Sequence, residues 1–245
     1  MAAAMARGWA SAERRPAAML FCDLIGERAA ALAADVGGET RDSLAALGDS
    51  SDVVVLAVKP AALDDAAAEL RGHARAVLSV LAATPTDRLA EAFPGTPIKR
   101  VMPNQPAEIG RGVLCHVAAR EMAPELEAEL VEMLGMLGRA VELPEDRIEA
   151  AMAVMSCAPA YVALFAEALA DAGAREGLDR AEALGLVAAT LSGTGELLSR
   201  HEPAAIRKVV ASPGGATEAG LEALEQGGFT KAVDDAVDAS LERFR

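Results

Sequence analysis

This sequence predicts a doubly wound α/β domain with a mostly parallel sheet, followed by an all-helical domain. Three observations predict it. Short apolar runs in the first half lack the alternation of a half-exposed strand, so they read as strands covered on both faces, as in βαβ units. Helical stretches separate those runs. Beyond Pro144 the strand-like runs stop, and only helical patterns follow.

The elements can be taken in order. Met19-Leu-Phe-Cys-Asp23 reads as a strand, as does Val53-Val-Val-Leu-Ala-Val58; Ala76-Val-Leu-Ser-Val-Leu81 and Ile98-Lys-Arg-Val-Met102 follow. Helices are expected around 26–36, 61–71 and 86–93. Gly112-Val-Leu-Cys-His-Val117 and Ala140-Val-Glu-Leu143 add later strands, and Leu126, Leu130, Leu134 and Leu137 recur at helical spacing between them. The expected domains are 1–144 and 145–245. In the second, helices break at 173–179, 201–203, 212–215 and 227–228. A helical domain of this size, rich in alanine and glycine, need not complete a monomeric core, so a homodimer or higher homo-oligomer is expected.

Composition bounds the function. With 245 residues and 52% hydrophobic content the chain can bury one large core or two smaller ones, and 3% aromatics makes that core aliphatic. A net charge of −14 argues against a nucleic-acid partner, because phosphates are repelled. Cys22, Cys115 and Cys157 fit neither a zinc pattern nor a disulfide framework, and His73, His116 and His201 are scattered, so no metal is expected. No apolar run reads as a membrane span and the start does not read as a signal peptide, so a cytoplasmic protein is expected.

The run Val210-Ala-Ser-Pro-Gly-Gly-Ala-Thr217 is the most informative stretch. Glycines after a proline permit a turn that presents amide N–H groups, and Thr217 opens an amphipathic helix whose N-terminal amides suit a carboxylate. The plainer reading is a helix entry with a threonine near its cap.

Several segments together resemble the pyrroline-5-carboxylate reductase family. They are Val53-Val-Val-Leu-Ala-Val-Lys-Pro60, Arg100-Val-Met-Pro-Asn-Gln-Pro-Ala107, Ala158-Pro-Ala-Tyr161, Asp171-Ala-Gly-Ala-Arg-Glu-Gly-Leu-Asp-Arg180 and the Ser-Pro-Gly-Gly-Ala-Thr run, in the family's order. The resemblance implies a Rossmann-type domain, a helical dimerisation domain, and reduction of 1-pyrroline-5-carboxylate to L-proline with NADPH or NADH. It implies that Thr217 is the substrate-side threonine, orienting the ring nitrogen or relaying a proton from water, and that amides at Gly215, Ala216 and Thr217 hold the carboxylate. Ala57, Val58, Lys59 and Pro60 match a strand-end loop touching the dinucleotide; Met102 and Asn104 match a second one, where Asn104 also approaches substrate. Each has an alternative: Lys59 as a solvated lysine, Pro60 as a first-turn proline, Asn104 closing a turn on itself. Glu145 falls where the family has an acid near substrate, or is simply an acid complementing a helix dipole. Asp23 ends a strand where an acid accepts from a ribose 2′-OH and leans the preference toward NADH, with Arg28 as an offset.

The resemblance fails at the start. The family opens with a strand and a glycine-rich fingerprint, whereas Met1 and Ala3 stand at the glycine positions here. Loss of that strand is expected to leave a gap in the sheet or force its neighbours together. The family's Gly-Ser-Gly is Ser156-Cys157-Ala158, with Cys157 expected as inert packing, and Ala189-Thr190 replaces a frequent Gln-Thr. Two other functions stay open: a related dehydrogenase or imine reductase acting on another small carboxylate, and a catalytically silent dimeric paralogue.

Overall fold

Each apolar run read as a strand forms one. The computed structural model describes residues 1–244. It begins with helix α1 (Ala2–Ser11), β1 (Leu20–Phe21), α2 (Gly26–Val36), β2 (Glu39–Thr40) and α3 (Leu44–Asp49). Next come β3 (Val54–Leu56), a 3-10 turn at Pro60–Ala62, α4 (Leu63–Leu70), β4 (Val77–Ser79) and α5 (Thr86–Ala92). Then follow β5 (Ile98–Pro103), a 3-10 turn at Gln105–Ile109, β6 (Gly112–His116), α6 (Pro124–Gly135) and β7 (Gly138–Glu142). A 3-10 turn at Glu145–Arg147 leads into α7 (Ile148–Met155), α8 (Ala158–Arg175), α9 (Arg180–Leu198), α10 (Pro203–Val210), α11 (Ala216–Gln226) and α12 (Phe229–Glu242). Sequence reasoning missed α1, β2 and α3. β2 is two exposed polar residues, and α1 occupies the stretch compared with the fingerprint.

The strands form two sheets. β1 and β2 pair in parallel, and a second sheet has the order β3-β4-β5-β6-β7. All its pairs are parallel except β5–β6, which is antiparallel. The reason is local: β5 reaches β6 through a short turn, and a parallel return needs a crossover of a dozen residues or so. No pairing joins β1 to β3 among the described residues, so the expected gap is present.

Two compact units divide the described residues, Met1–Pro159 with Arg243 and Phe244, and Ala160–Glu242. The first unit is layered. On one face of the strands Leu56, Leu63, Leu70, Leu89 and Phe93 pack together. On the other, Met5 and Trp9 of α1 meet Leu78, Val101, Leu114 and Leu134. The Trp9 indole donates to Met133 O at 2.8 Å, and Gly8 lies so close to the Ala107 carbonyl that no side chain fits between them. A third cluster joins Met102 and Cys115 to Ile148, Met152 and Met155. It places α7 with the sheet, so the compact border falls at 159, whereas strand patterning ends near 144.

β5 carries two buried cations on opposite faces, as adjacent strand residues must be. Lys99 donates to Val117 O at 2.9 Å and to Glu127 at 2.6 Å, and this bond holds the Glu127 carboxyl below its usual range. Arg100, whose side chain is 0% exposed, pairs with Glu145 and, at 3.0 Å, with Glu149. Its Nε has no partner among the described residues. His116, at the end of β6, is buried with Nδ1 unpartnered and 3.8 Å from Glu142. Burial, and next the Lys99 charge, lower its pKa, with Glu142 opposing.

The second unit has a small core, Ala170, Ala183 and Val187, flanked by Ala166 and Leu191. Leu164 (67% exposed), Leu186 (61%) and Val209 (86%) are left on its surface. A cleft of about 380 Å³ opens between α8 and α9, lined by Leu169, Leu178 and Leu186 among others. The segment Glu145–Arg175 is long and apolar enough to cross a bilayer by length and composition, which corrects the expectation that no run is. It is broken at Ser156-Cys157 into α7, packed on the sheet, and α8.

Two predictions follow from the buried charges. Arg100→Ala leaves Glu145 and Glu149 facing each other without their cation and should cost about 3 kcal/mol in urea unfolding; a loss below about 1 kcal/mol contradicts the role given to the pair. For His116 the folded pKa lies below its ordinary value of 6.5, so its contribution is present above that pH and is lost as pH falls toward the lowered folded value. Between pH 7 and 5.5, urea midpoints of the parent chain should fall faster than those of His116→Asn, and parallel curves would refute this.

Candidate functional site

In open α/β sheets, ligands bind beyond the carboxyl ends of the parallel strands. At the end of β3 the chain passes from buried Leu56 to exposed Ala57, then through half-buried Val58 to exposed Lys59 and Pro60. Pro60 opens the 3-10 turn, where its missing N–H costs nothing, and Lys59 caps that turn without a side-chain bond. The N–H groups of Ala57, Val58 and Lys59 have no acceptor among the described residues. They form a donor-bearing loop at the carboxyl end of β3.

At the end of β5 the side chains face inward. Met102 is 2% exposed and belongs to the cluster with Ile148 and Met152, so only its main chain lies toward the edge. Both ends of the Asn104 amide are engaged: Nδ2 donates to Met155 O at 3.0 Å and Oδ1 accepts from Val113 N–H at 2.8 Å. Asn104 therefore closes no turn on itself. It ties the loop to β6 and to the end of α7, where the Ser156 hydroxyl also donates to Pro103 O at 3.3 Å.

Glu145 has internal partners on both oxygens. It accepts from Arg100 and from the Thr86 hydroxyl at 2.6 Å, with the Thr86 amide at 3.4 Å, so it complements the start of α5. Asp23, beyond β1, is exposed and accepts from Ile25 N–H at 2.8 Å through Oδ1, leaving Oδ2 for a ligand. Arg28 lies exposed in the first turn of α2. Met1, Ala2 and Ala3 precede and open α1 without glycine, so these residues supply no glycine-rich phosphate turn.

The Ser-Pro-Gly-Gly-Ala-Thr loop belongs to the second unit. Gly214 has φ +71, and a side chain at Gly215 would meet Ser212 Oγ at 2.6 Å, so both glycines are required by the turn. Gly215 caps α11, which begins at Ala216, and Thr217 is its second residue. The Gly215 N–H is satisfied by Ser212 O at 2.9 Å, and the Gly214 N–H by the Glu218 carboxylate at 2.7 Å. The free donors are therefore Ala216 N–H, Thr217 N–H and the exposed Thr217 hydroxyl, none with a partner among the described residues.

Sequence reasoning missed Arg100, Ser156 and Glu218 as parts of this architecture. The signal for Arg100 was a pair of cations inside an otherwise apolar strand. For Glu218 it was an acid at the third position of a helix, the spacing of a capping box.

Comparison with known proteins bears on both halves of the chain. A family model for pyrroline-5-carboxylate reductase dimerisation matches residues 145–245, and one for coenzyme F420-dependent NADP oxidoreductase matches 1–83. Pyrroline-5-carboxylate reductase of Synechocystis is 42% identical over 197 residues, 79% of this chain and 74% of that protein. The Mycobacterium tuberculosis enzyme is 34% identical over 80% of this chain and 76% of its own. Among solved structures, 1-pyrroline-5-carboxylate reductase from Streptococcus pyogenes superposes with a TM-score of 0.90 at 27% identity, covering 100% of this chain and 94% of that one. The Plasmodium falciparum pyrroline carboxylate reductase, solved with NADP bound, gives 0.86 at 26%, covering 98% and 92%. With that identity and coverage, and with both halves matched in order, this chain belongs to the pyrroline-5-carboxylate reductase family.

Proposed function

We propose that this protein reduces 1-pyrroline-5-carboxylate to L-proline with NADPH or NADH, acting as a homo-oligomer in the cytoplasm. The observation that carries this reading is the loop before α11, which in a member of this family offers two free amides and a hydroxyl side by side. A carboxylate fits the two amides, where the helix dipole favours negative charge. The Thr217 hydroxyl then lies beside the ring.

The reaction adds a hydride to the imine carbon and a proton to nitrogen. The dinucleotide, when bound, supplies the hydride; the chain's part is to hold two partners in line and to place the proton. A protonated imine is already electrophilic, so Thr217 orients the nitrogen and relays a proton from water instead of acting as a strong acid. Ala57, Val58, Lys59 and Pro60 hold the cofactor through main-chain donors, Met102 through its main chain, and Asp23 through its free Oδ2. Asn104 and Glu145 contribute by fixing the loops around them. Residues 1–144 serve the cofactor, and residues 145–245 serve substrate and pairing.

Pairing is supported by the second unit's exposed leucines and valines, which its own small core leaves uncovered. The cytoplasmic placement is supported by Cys22, Cys115 and Cys157, all of them free thiols.

Thr217→Ala should lower kcat about tenfold or more while leaving the cofactor Kd unchanged, because one substrate-side hydrogen bond is removed. Steady-state kinetics alongside a fluorescence titration of NADPH checks this, and an undiminished kcat would remove Thr217 from the site. Asp23→Ser keeps a turn-capping oxygen but loses the charge that repels a 2′-phosphate. The ratio of kcat/KM for NADPH over NADH should rise, and an unchanged ratio means that Asp23 does not touch the ribose.

A further inference from the structure

The third apolar cluster of the first unit takes in Phe244, a half-buried residue that follows α12. The buried members of that cluster are Met102, Met152, Met155, Cys115 and Ile148, and Val113 of β6 flanks it. Methionine side chains have three rotatable bonds and settle into many arrangements, so such a cluster does not fix its own geometry. Phe244 is the one aromatic ring packed there among the described residues. A ring with two side-chain torsions is the stiffest body in the group.

Two residues of this same cluster hold Asn104. Met155 O accepts from Asn104 Nδ2 at 3.0 Å, and Val113 N–H donates to Asn104 Oδ1 at 2.8 Å. One partner ends α7 and the other lies in β6, so neither belongs to the loop that Asn104 begins. The amide is clamped only while those two main-chain positions keep their spacing. A slip of about 0.5 Å between α7 and β6 takes one of the bonds out of its useful range. What resists the slip is the packing of the Met155 and Val113 side chains in the cluster on which Phe244 lies.

We infer that Phe244 is a positioning residue: its ring, packed on the third cluster, keeps α7 and β6 in register and so holds Asn104 at the carboxyl end of β5. Phe244 acts through Met155 and Val113, and is given no contact with substrate or cofactor. The inference goes beyond the proposed activity, which assigns Phe244 no part; only its consequence for cofactor binding rests on that reading.

Amide hydrogen exchange at Val113 reads the clamp directly, because that N–H is the one Asn104 accepts from. Val54 and Val77 are the controls: they pack in the first cluster, and their N–H groups donate to Ala76 O at 2.9 Å and Pro97 O at 2.8 Å. In the full chain, Phe244→Ala should speed exchange at Val113 about tenfold or more and leave both controls unchanged. Phe244→Tyr keeps the ring, with its hydroxyl toward water, and should exchange like the parent. Phe244→Leu should fall between the two, and it decides the outcome if the alanine form does not fold. Unchanged exchange at Val113 in the alanine or leucine form overturns the inference. So does equal acceleration at all three amides, which is general loosening, or a tyrosine form that behaves like the alanine form. A fluorescence titration with NADPH separates this result from the proposed activity. The Kd should rise about threefold or more in the alanine form. Faster exchange at Val113 with an unchanged Kd, or a parent that binds no NADPH, upholds the role of Phe244 and takes the loop after β5 out of the cofactor site.

Discussion

Two cations buried in β5 govern the first unit. An ammonium or guanidinium removed from water costs several kcal/mol unless carboxylates and carbonyls receive it. Lys99 meets that demand with Glu127 and Val117, Arg100 with Glu145 and Glu149. Because the two side chains leave the strand on opposite faces, both layers must bring their acids to fixed places. The first turn of α6 is held on one side, and the entry to α7 on the other. Apolar packing alone would tolerate small slips of those helices; paired charges do not.

The consequence reaches the carboxyl ends of the strands along a short path. Arg100 fixes Glu145, which fixes the start of α5 through Thr86. Three residues beyond Arg100, Pro103 O is met by the Ser156 hydroxyl, and Asn104 next to it grips Met155 O and Val113 N–H. The loops that border the edge are thereby fastened to both the sheet and α7. Alignment of such loops depends on fastenings of this kind more than on strong acids or bases.

Most of the fold was legible because its strands are covered on both faces and stand out as unbroken apolar runs. β2 escaped because two exposed polar residues carry no such mark, and α1 because its alanines read equally well as a degraded phosphate loop. In the site, main-chain features were legible and side-chain commitments were not. Proline and glycine spacing announces a turn and a helix entry at 212–217, but cannot say that Gly215 N–H is already used by Ser212. Residue types at 104 and 145 suit a ligand as well as they suit a buried network, and only tertiary partners decide between them.

The uncovered apolar helices of the second unit also bear on how much of this protein a cell can hold. Pairing of identical chains is second order in their concentration, so at low expression most chains stand alone with Leu164, Leu186 and Val209 in water. Such chains are substrates for proteases and chaperones, whereas assembled ones are sheltered. Steady-state abundance then rises more steeply than synthesis.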